Sequence, residues 1–331
     1  MAGRRRKKSG GRSYAWRYRG RIVACVFVEV IIICALVIMI GWNKGVKEWF
    51  EQFEQPVLKE VDISGINSPN AILMQARGGK ILGEINGEAQ IYPASMTKIM
   101  TVILGIENFD DLDEKITLTN EMFIGLYEQD ATQAGFQPGE EVRVIDLLYG
   151  AMLPSGAECC IALADTISGS EADFAELMNK KARKLGMENT HFCDSTGLHN
   201  PDHYSTVKDI AVLMKYCIKN DTFREIVETS RHSTGVTNIH PDGITYYSTM
   251  FKNLSDPTVT GGKILGGKTG YTSEAGHCLV SFAEIEGREY IFVSAGASGA
   301  DGNTIPHIQD AVTVYNRVGA AIEEKMNDNN K

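Results

Sequence analysis

One run of 21 residues, Ile22 to Trp42, restricts this chain more than any other feature: it is apolar except for Glu29. At about 1.5 Å rise per residue, a helix of that length spans the roughly 30 Å of a bilayer's hydrocarbon. Residues 1–21 carry nine Arg or Lys and no acid, and a basic flank of this kind keeps an N-terminus cytoplasmic. The run therefore predicts a retained single-pass anchor with the rest of the chain on the far side of the membrane. A cleaved signal peptide is the rival, because Val30 to Ile40 is short enough for its apolar part. Against it, Ile38-Met-Ile-Gly-Trp-Asn43 offers no small–any–small cleavage pattern.

Beyond the run the charge reverses. From Lys44 onward there are 24 basic and 41 acidic residues, formally −17. Such an acidic ectodomain has no counter-charge with which to hold DNA or RNA, so Arg4-Arg-Arg-Lys-Lys8 reads as the anchor's flank and not as a nucleic-acid arm. Anionic lipid would repel the domain, which leaves residues 22–42 as its bilayer contact. Of seven cysteines, Cys25 and Cys34 fall in the run and five lie outside it. An odd number in a domain this large is no disulfide framework. Cys159 and Cys160 have no second close-spaced pair to complete a zinc site.

The expected layout is a basic tail (1–21), an anchor (22–42), a charged and aromatic linker (43–60) and a folded domain (61–331). In the domain, Ala71 to Arg77 and Lys80 to Asn86 flank Gly78-Gly79, a hairpin signal. Ser95 to Ile106 follows Pro93 and reads as a helix, as do Val142 to Met152, Ala172 to Leu185 with Gly186 as its cap, and Thr206 to Ile218. Lys263 to Tyr271, His277 to Ile285 and Glu289 to Ser294 read as strands, with a tight Gly287-Arg288 connection between the last two. Thr304 to Lys325 reads as a closing helix. Strands at both ends around a helical middle predict an α/β (α+β) unit whose N- and C-terminal strands share one sheet, with a cleft where the helical part meets it.

Gly262 to Thr269 spells Gly, four residues, Gly-Lys-Thr, the pattern of a phosphate-cradling loop. Such a loop needs a helix after it, whereas Cys278 to Ala283 reads as another strand. No nucleotide is therefore expected, and Lys268-Thr269-Gly270 takes its meaning from a second motif. Tyr92-Pro-Ala-Ser95-Met-Thr-Lys98 places a serine and a lysine three apart, on one face of a helix. A serine hydroxyl is a weak nucleophile without a base beside it. A lysine serves as that base once burial or a second cation lowers its pKa, and Lys268 supplies such a cation. Pro154-Ser155-Gly156, at a helix break, offers a third polar element. Taken alone, Ser-x-x-Lys is common on solvated helices, but here its surroundings are mostly apolar.

With these residues, and with Met152-Leu-Pro-Ser-Gly156, Asn189-Thr-His-Phe192, Thr196-Gly-Leu-His-Asn200, His203-Tyr-Ser-Thr206 and Gly266-Gly-Lys-Thr-Gly-Tyr-Thr272 in order, the chain resembles the serine-type D-alanyl-D-alanine carboxypeptidases, the low-molecular-mass penicillin-binding proteins. The resemblance covers roughly residues 60 to 320. It implies a penicillin-binding/serine β-lactamase-like fold and a bacterial membrane protein that removes the last D-alanine of peptidoglycan stem peptides. Ser95 would form the acyl-enzyme with Lys98 as general base, and Ser155 would relay a proton to the leaving amine. Lys268 and Thr269 would bind the substrate carboxylate, Gly270 would permit close approach, and Tyr271 would shape the cleft. The backbone N–H groups of Ser95 and Tyr271 would form the oxyanion hole. β-Lactams would acylate the same serine. No cofactor or metal is implied.

Two departures stand out. Relatives usually have Ser-x-Asn where this chain has Ser155-Gly156-Ala157, so the amide that contacts substrate and orders the lysine is missing, and Glu158 on the following helix would point elsewhere. Relatives often have Asn-Pro where Asp194-Ser195 stand, which reads as a loop adjustment. His199 and His203 are four apart, but Asn200-Pro201-Asp202 breaks a helix between them, so they are expected to make structural hydrogen bonds. Glu128 and Asp130 read as solvated surface acids. The alternatives are a serine β-lactamase, for which no deacylating acid stands out, a cross-linking transpeptidase, for which there is little room, and a weakly active or non-catalytic cell-wall binder, suggested by Ala157.

Overall fold

The strands from the two ends of the folded region meet in one sheet. In the computed structural model, residues 58–254, 256–299 and 305–329 are described. The basic tail, the apolar run 22–42 and most of the linker fall outside them. Among the described residues no helix is long and apolar enough to cross a membrane.

The Gly78-Gly79 hairpin forms, with β1 (Asn70–Gln75) and β2 (Ile81–Ile85) antiparallel. The late strands are β7 (Thr258–Val259), β8 (Gly262–Thr272), β9 (Gly276–Ile285) and β10 (Arg288–Ala297). β1 pairs with β10, giving the order β2-β1-β10-β9-β8-β7. The turn between β9 and β10 is Glu286-Gly287, both at positive φ, one residue earlier than expected; Arg288 already belongs to β10. Alternation along the strands splits the core into two layers. Ile72, Met74, Val280, Phe282, Ile291 and Val293 face the helical middle. Leu73, Leu279 and Phe292 face Val314, Tyr315 and Val318 of the closing helix.

The middle comprises α1 (Lys98–Asn108), α2 (Val144–Met152), α3 (Ala157–Ser168), α4 (Glu171–Leu185), α5 (Val207–Cys217), α6 (Asp221–Glu228) and α7 (Thr249–Asn253); α8 (Pro306–Asn329) closes the chain. Caps set several of the ends. Ser170 accepts from the N–H of Asp173, Thr206 accepts from that of Asp209, and Gly186 closes α4 in the left-handed conformation. Val142 is not helical as expected: it pairs with Ile116, where β4 (Glu141–Arg143) meets β3 (Lys115–Thr117). A β-branched residue on a short alternating segment pairs as readily as it coils. β5 (Arg231–Ser233) and β6 (Thr245–Tyr247) form a further small ribbon.

At the start of α8, His307 stacks on His277 with 5.0 Å between ring centroids. His307 is buried, and its Nδ1 has no partner among the described residues. Burial, with His277 adding to it, pushes its pKa down to about 4. The native state then binds fewer protons than the unfolded one below the ordinary value of 6.5. Stability is therefore lost as pH falls from about 6.5 to about 4, by up to about 3 kcal/mol. His307→Phe should flatten that part of the denaturation-midpoint-versus-pH curve; a variant with the wild-type slope would disprove the assignment.

Candidate active site

Pro93 starts a 3-10 turn, Ala94–Thr97, that runs into α1. Ser95 sits on this turn and not within an α-helix, and Lys98 is the first residue of α1. The tighter winding keeps i and i+3 in line, and Lys98 Nζ donates to Ser95 Oγ at 3.0 Å. Lys98 is 3 % exposed. Its amine also donates to the Thr196 carbonyl at 2.8 Å. Burial lowers its pKa, while Cys160, Asp194 and Glu158 act in the opposite sense.

Ser155 follows α2 at φ 74°, and Ala94, just before Ser95, lies at φ 47°. Side-chain-bearing residues hold such angles at a cost of order 1–3 kcal/mol, a strain that collects at functional sites. Lys268 Nζ donates to Ser155 Oγ at 3.0 Å and to the Thr269 carbonyl at 2.8 Å. Lys268 shares the face of its partner Val280, toward the helices, and is 1 % exposed. Its amine is thus covered, with the Ser155 hydroxyl and the Thr269 carbonyl as its hydrogen-bond partners. Burial, and then repulsion from Lys98, hold its pKa well below the usual lysine value.

β7 covers only Gly262 and Lys263 of β8. Among the described strands, the remainder of β8 is an edge, open to pairing with an extended peptide. Gly270 brings that edge against the nucleophile, since a Cβ there would stand 3.0 Å from Ser95 N and 3.2 Å from Ala94 Cβ. Thr269 Oγ1 lies 2.7 Å from Thr249 Oγ1. Tyr271 is 61 % exposed at the rim, its ring against His277. Gly262 to Thr269 is therefore extended strand paired with β9, not a phosphate loop leading into a helix.

The structure brings Ser95, Lys98, Ser155, Lys268, Thr269 and Gly270 together. It also adds residues that sequence reasoning missed. Thr249 belongs to no spaced motif. The Thr196 carbonyl is backbone, which no residue pattern reveals. Ala157 is buried, and its N–H donates to the Thr132 carbonyl at 2.8 Å. Glu158 does point away from the cleft: its Oε1 accepts the N–H groups of Ala134 at 2.6 Å and Gly135 at 2.9 Å. Together they tether the loop before β4. That loop also carries Glu128 and Asp130, exposed as expected, yet they line a recess of about 420 Å³ with Leu198, His199, Tyr271 and Glu274. His199 packs edge-on against Tyr92, and His203 bonds Asp194 and Thr97.

A family profile described as D-alanyl-D-alanine carboxypeptidase matches residues 57–299. The chain is 35 % identical over 233 residues to D-alanyl-D-alanine carboxypeptidase DacF of Bacillus subtilis, covering 69 % of this chain and 57 % of that one. It is 33 % identical over 262 residues to DacC of Escherichia coli, covering 72 % and 58 %. It thus spans somewhat over half the length of these two relatives. The crystal structure of the Streptomyces K15 DD-transpeptidase superposes with a TM-score of 0.69 at 29 % identity, covering 79 % of this chain and all of that one.

Proposed function

This chain belongs to the D-alanyl-D-alanine carboxypeptidase family, and from that premise we propose that it cleaves peptides ending in D-alanyl-D-alanine through an acyl-enzyme on Ser95. The observation that carries this reading is a buried amine 3.0 Å from a serine hydroxyl, one turn away at the foot of an open strand edge. Neutral Lys98 takes the Ser95 proton as Oγ attacks the carbonyl of the penultimate residue. The N–H groups of Ser95 and Tyr271 receive the oxyanion, where the loss of one donor typically costs roughly 3 kcal/mol. Ser155 passes a proton to the departing amine. Water then attacks the ester and frees the shortened peptide.

The substrate carboxylate sits over the hydroxyls of Thr269 and Thr249, with Lys268 acting from beneath. Two buried ammonium groups this close disfavour each other. A carboxylate above Thr269 favours charge on Lys268, and charge on Lys268 favours neutral Lys98. The substrate's own chain end thereby helps to ready the base. The same logic makes β-lactams acylating inhibitors. Ile22 to Trp42, with its basic flank, supports an N-terminal anchor that leaves this domain outside the bacterial membrane, where peptidoglycan stem peptides lie.

The test incubates the detergent-solubilised chain with fluorescent penicillin and, separately, with a peptide ending in Lys-D-Ala-D-Ala, with and without an added amine. Stable labelling together with released D-alanine is expected. Rapid loss of label with opened antibiotic would replace this reading by β-lactamase. Peptide consumed only when the amine is present would replace it by transpeptidation, the activity named for the Streptomyces K15 structure. Labelling with no peptide turnover would leave a penicillin-binding wall protein.

A further inference from the structure

Behind Lys98 lies a closed circuit of hydrogen bonds that the reaction as written does not use. The Thr196 carbonyl that accepts from Lys98 belongs to a turn folded around Asp194. Asp194 Oδ1 accepts from Thr196 N at 2.7 Å, Thr196 Oγ1 at 2.8 Å and Gly197 N at 2.6 Å. Its Oδ2 lies 3.0 Å from His203 Nδ1, and His203 Nε2 lies 2.9 Å from Thr97 Oγ1. Thr97 is bonded through the chain to Lys98, so the circuit returns to its start. His203 is 2 % exposed and edge-on to Phe192.

We propose that Asp194 and His203 are a positioning pair that fixes Lys98 for proton abstraction from Ser95, a role that rests on the acyl-enzyme reading above. The pair grips both sides of the base. Through Thr196 it sets the carbonyl that one amine hydrogen must reach, and through Thr97 it holds the turn that carries Ser95. An ionised carboxylate accepts only, so the 3.0 Å Asp194 contact places the proton on Nδ1, and the longer 3.3 Å approach of Cys193 N to Nδ1 is then no hydrogen bond. Nε2 is then free to accept from the Thr97 hydroxyl.

A structural clamp already exists on the same turn. Glu171 Oε1 accepts from Ser195 N at 3.0 Å and Ser195 Oγ at 2.6 Å, and Thr101 Oγ1 donates to the Ser195 carbonyl at 2.5 Å. That clamp holds the backbone without touching Lys98 or Thr97. Asp194 differs in a second way. Burial opposes its charge, but hydrogen bonds from His203 and Thr196 outweigh this and hold its pKa at about 2. It is thus an anion beside the base, and it favours the protonated lysine. The other groups acting on Lys98 are Glu158, Cys159 and Cys160 of α3, with Lys268 of β8 coupled to it. Ser95 and the Thr196 carbonyl are its uncharged partners.

Opposed effects follow from one substitution. Asp194→Asn loosens the base, and a misplacement near 1 Å costs on the order of 100-fold. It also removes the anion, so Lys98 loses its proton more readily and the acid limb of acylation moves to lower pH. His203→Gln should lower the maximal acylation rate constant by about 10-fold or more and leave half-saturation by antibiotic unchanged, because the pair acts on the base and not on binding.

The test follows fluorescent-penicillin acylation of the full-length chain in detergent across pH for wild type, Asp194→Asn, His203→Gln and Glu171→Gln, with near-ultraviolet circular dichroism as a check of packing. A slower Asp194→Asn with its acid limb displaced downward, and a His203→Gln slowed at unchanged half-saturation, support the pair. A fall equal at every pH in Asp194→Asn and matched by Glu171→Gln would reduce it to a clamp and overturn the proposal. Should Asp194→Asn lose its packing, His203→Gln decides alone: wild-type rates, or a raised half-saturation instead of a slower step, overturn it. A wild-type chain that never labels would remove the acyl-enzyme reading and this role with it.

Discussion

Lys98→Met is expected to acylate roughly 1,000-fold more slowly than wild type while Ser95 stays in place, and Ser95→Ala to take no covalent label at all. The first figure is the usual contribution of a positioned general base. Without it, the Ser95 proton has no positioned acceptor as Oγ attacks. The second outcome follows from the loss of the only atom that forms the ester. Stability should move differently. Methionine has about the volume of lysine but no amine to bury, and an amine that is 3 % exposed carries a large desolvation cost. The Thr196 carbonyl loses a donor, at about 1–3 kcal/mol, and repulsion on Lys268 disappears. Lys98→Met should therefore melt at or above the wild-type temperature, in keeping with sites that give up stability for activity. Time courses of labelling and a thermal melt check the two halves. A Lys98→Met chain labelled at the wild-type rate would remove Lys98 from the chemistry.

The parts of this site that could be read in advance are local. Ser95 and Lys98 are three residues apart, so winding alone brings them together. Gly78-Gly79 signals a hairpin, and the short apolar run of residues 277–285 signals a strand. Pairing of β1 with β10 joins residues more than 200 positions apart, and only the overall order of elements hinted at it. What stayed hidden depends on side chains folding back or on backbone atoms. Glu158 reaches 24 residues back to Ala134, and Thr249 meets Thr269 because α7 happens to pack on β8. The motif does not say on which side of β8 the Lys268 amine lies; alternation set by pairing with β9 puts it inside. Asp194 is the clearest case. A change read as a loop adjustment proves to organise the turn behind the base, because one carboxylate accepts three donors of that turn and a histidine nine positions on.

That same turn yields the second large effect. Gly197 lies at φ 80°, and a Cβ built on it would stand 1.9 Å from the Ala94 carbonyl oxygen and 2.5 Å from the carbonyl carbon. Both are backbone atoms of the strained residue just before Ser95, so no side chain can swing aside. Gly197→Ala must push the 194–198 turn away from the nucleophile, or push the nucleophile away from the turn. Either movement stretches the bond from Lys98 to Thr196. A shift near 1 Å predicts acylation slower on the order of 100-fold, and clash added to a left-handed alanine predicts roughly 3 kcal/mol or more of lost stability. Gly186→Ala is the matched control: its φ is 78° and a Cβ there meets nothing within 4 Å. It carries the backbone penalty of about 1 kcal/mol without the collision, at the end of α4 and away from the base. Denaturant midpoints and penicillin labelling of the two variants separate strain from collision. If Gly197→Ala tracked Gly186→Ala in both, the turn would yield freely, and the close fit of residues 194–197 behind Ser95 could not be what holds the base in line.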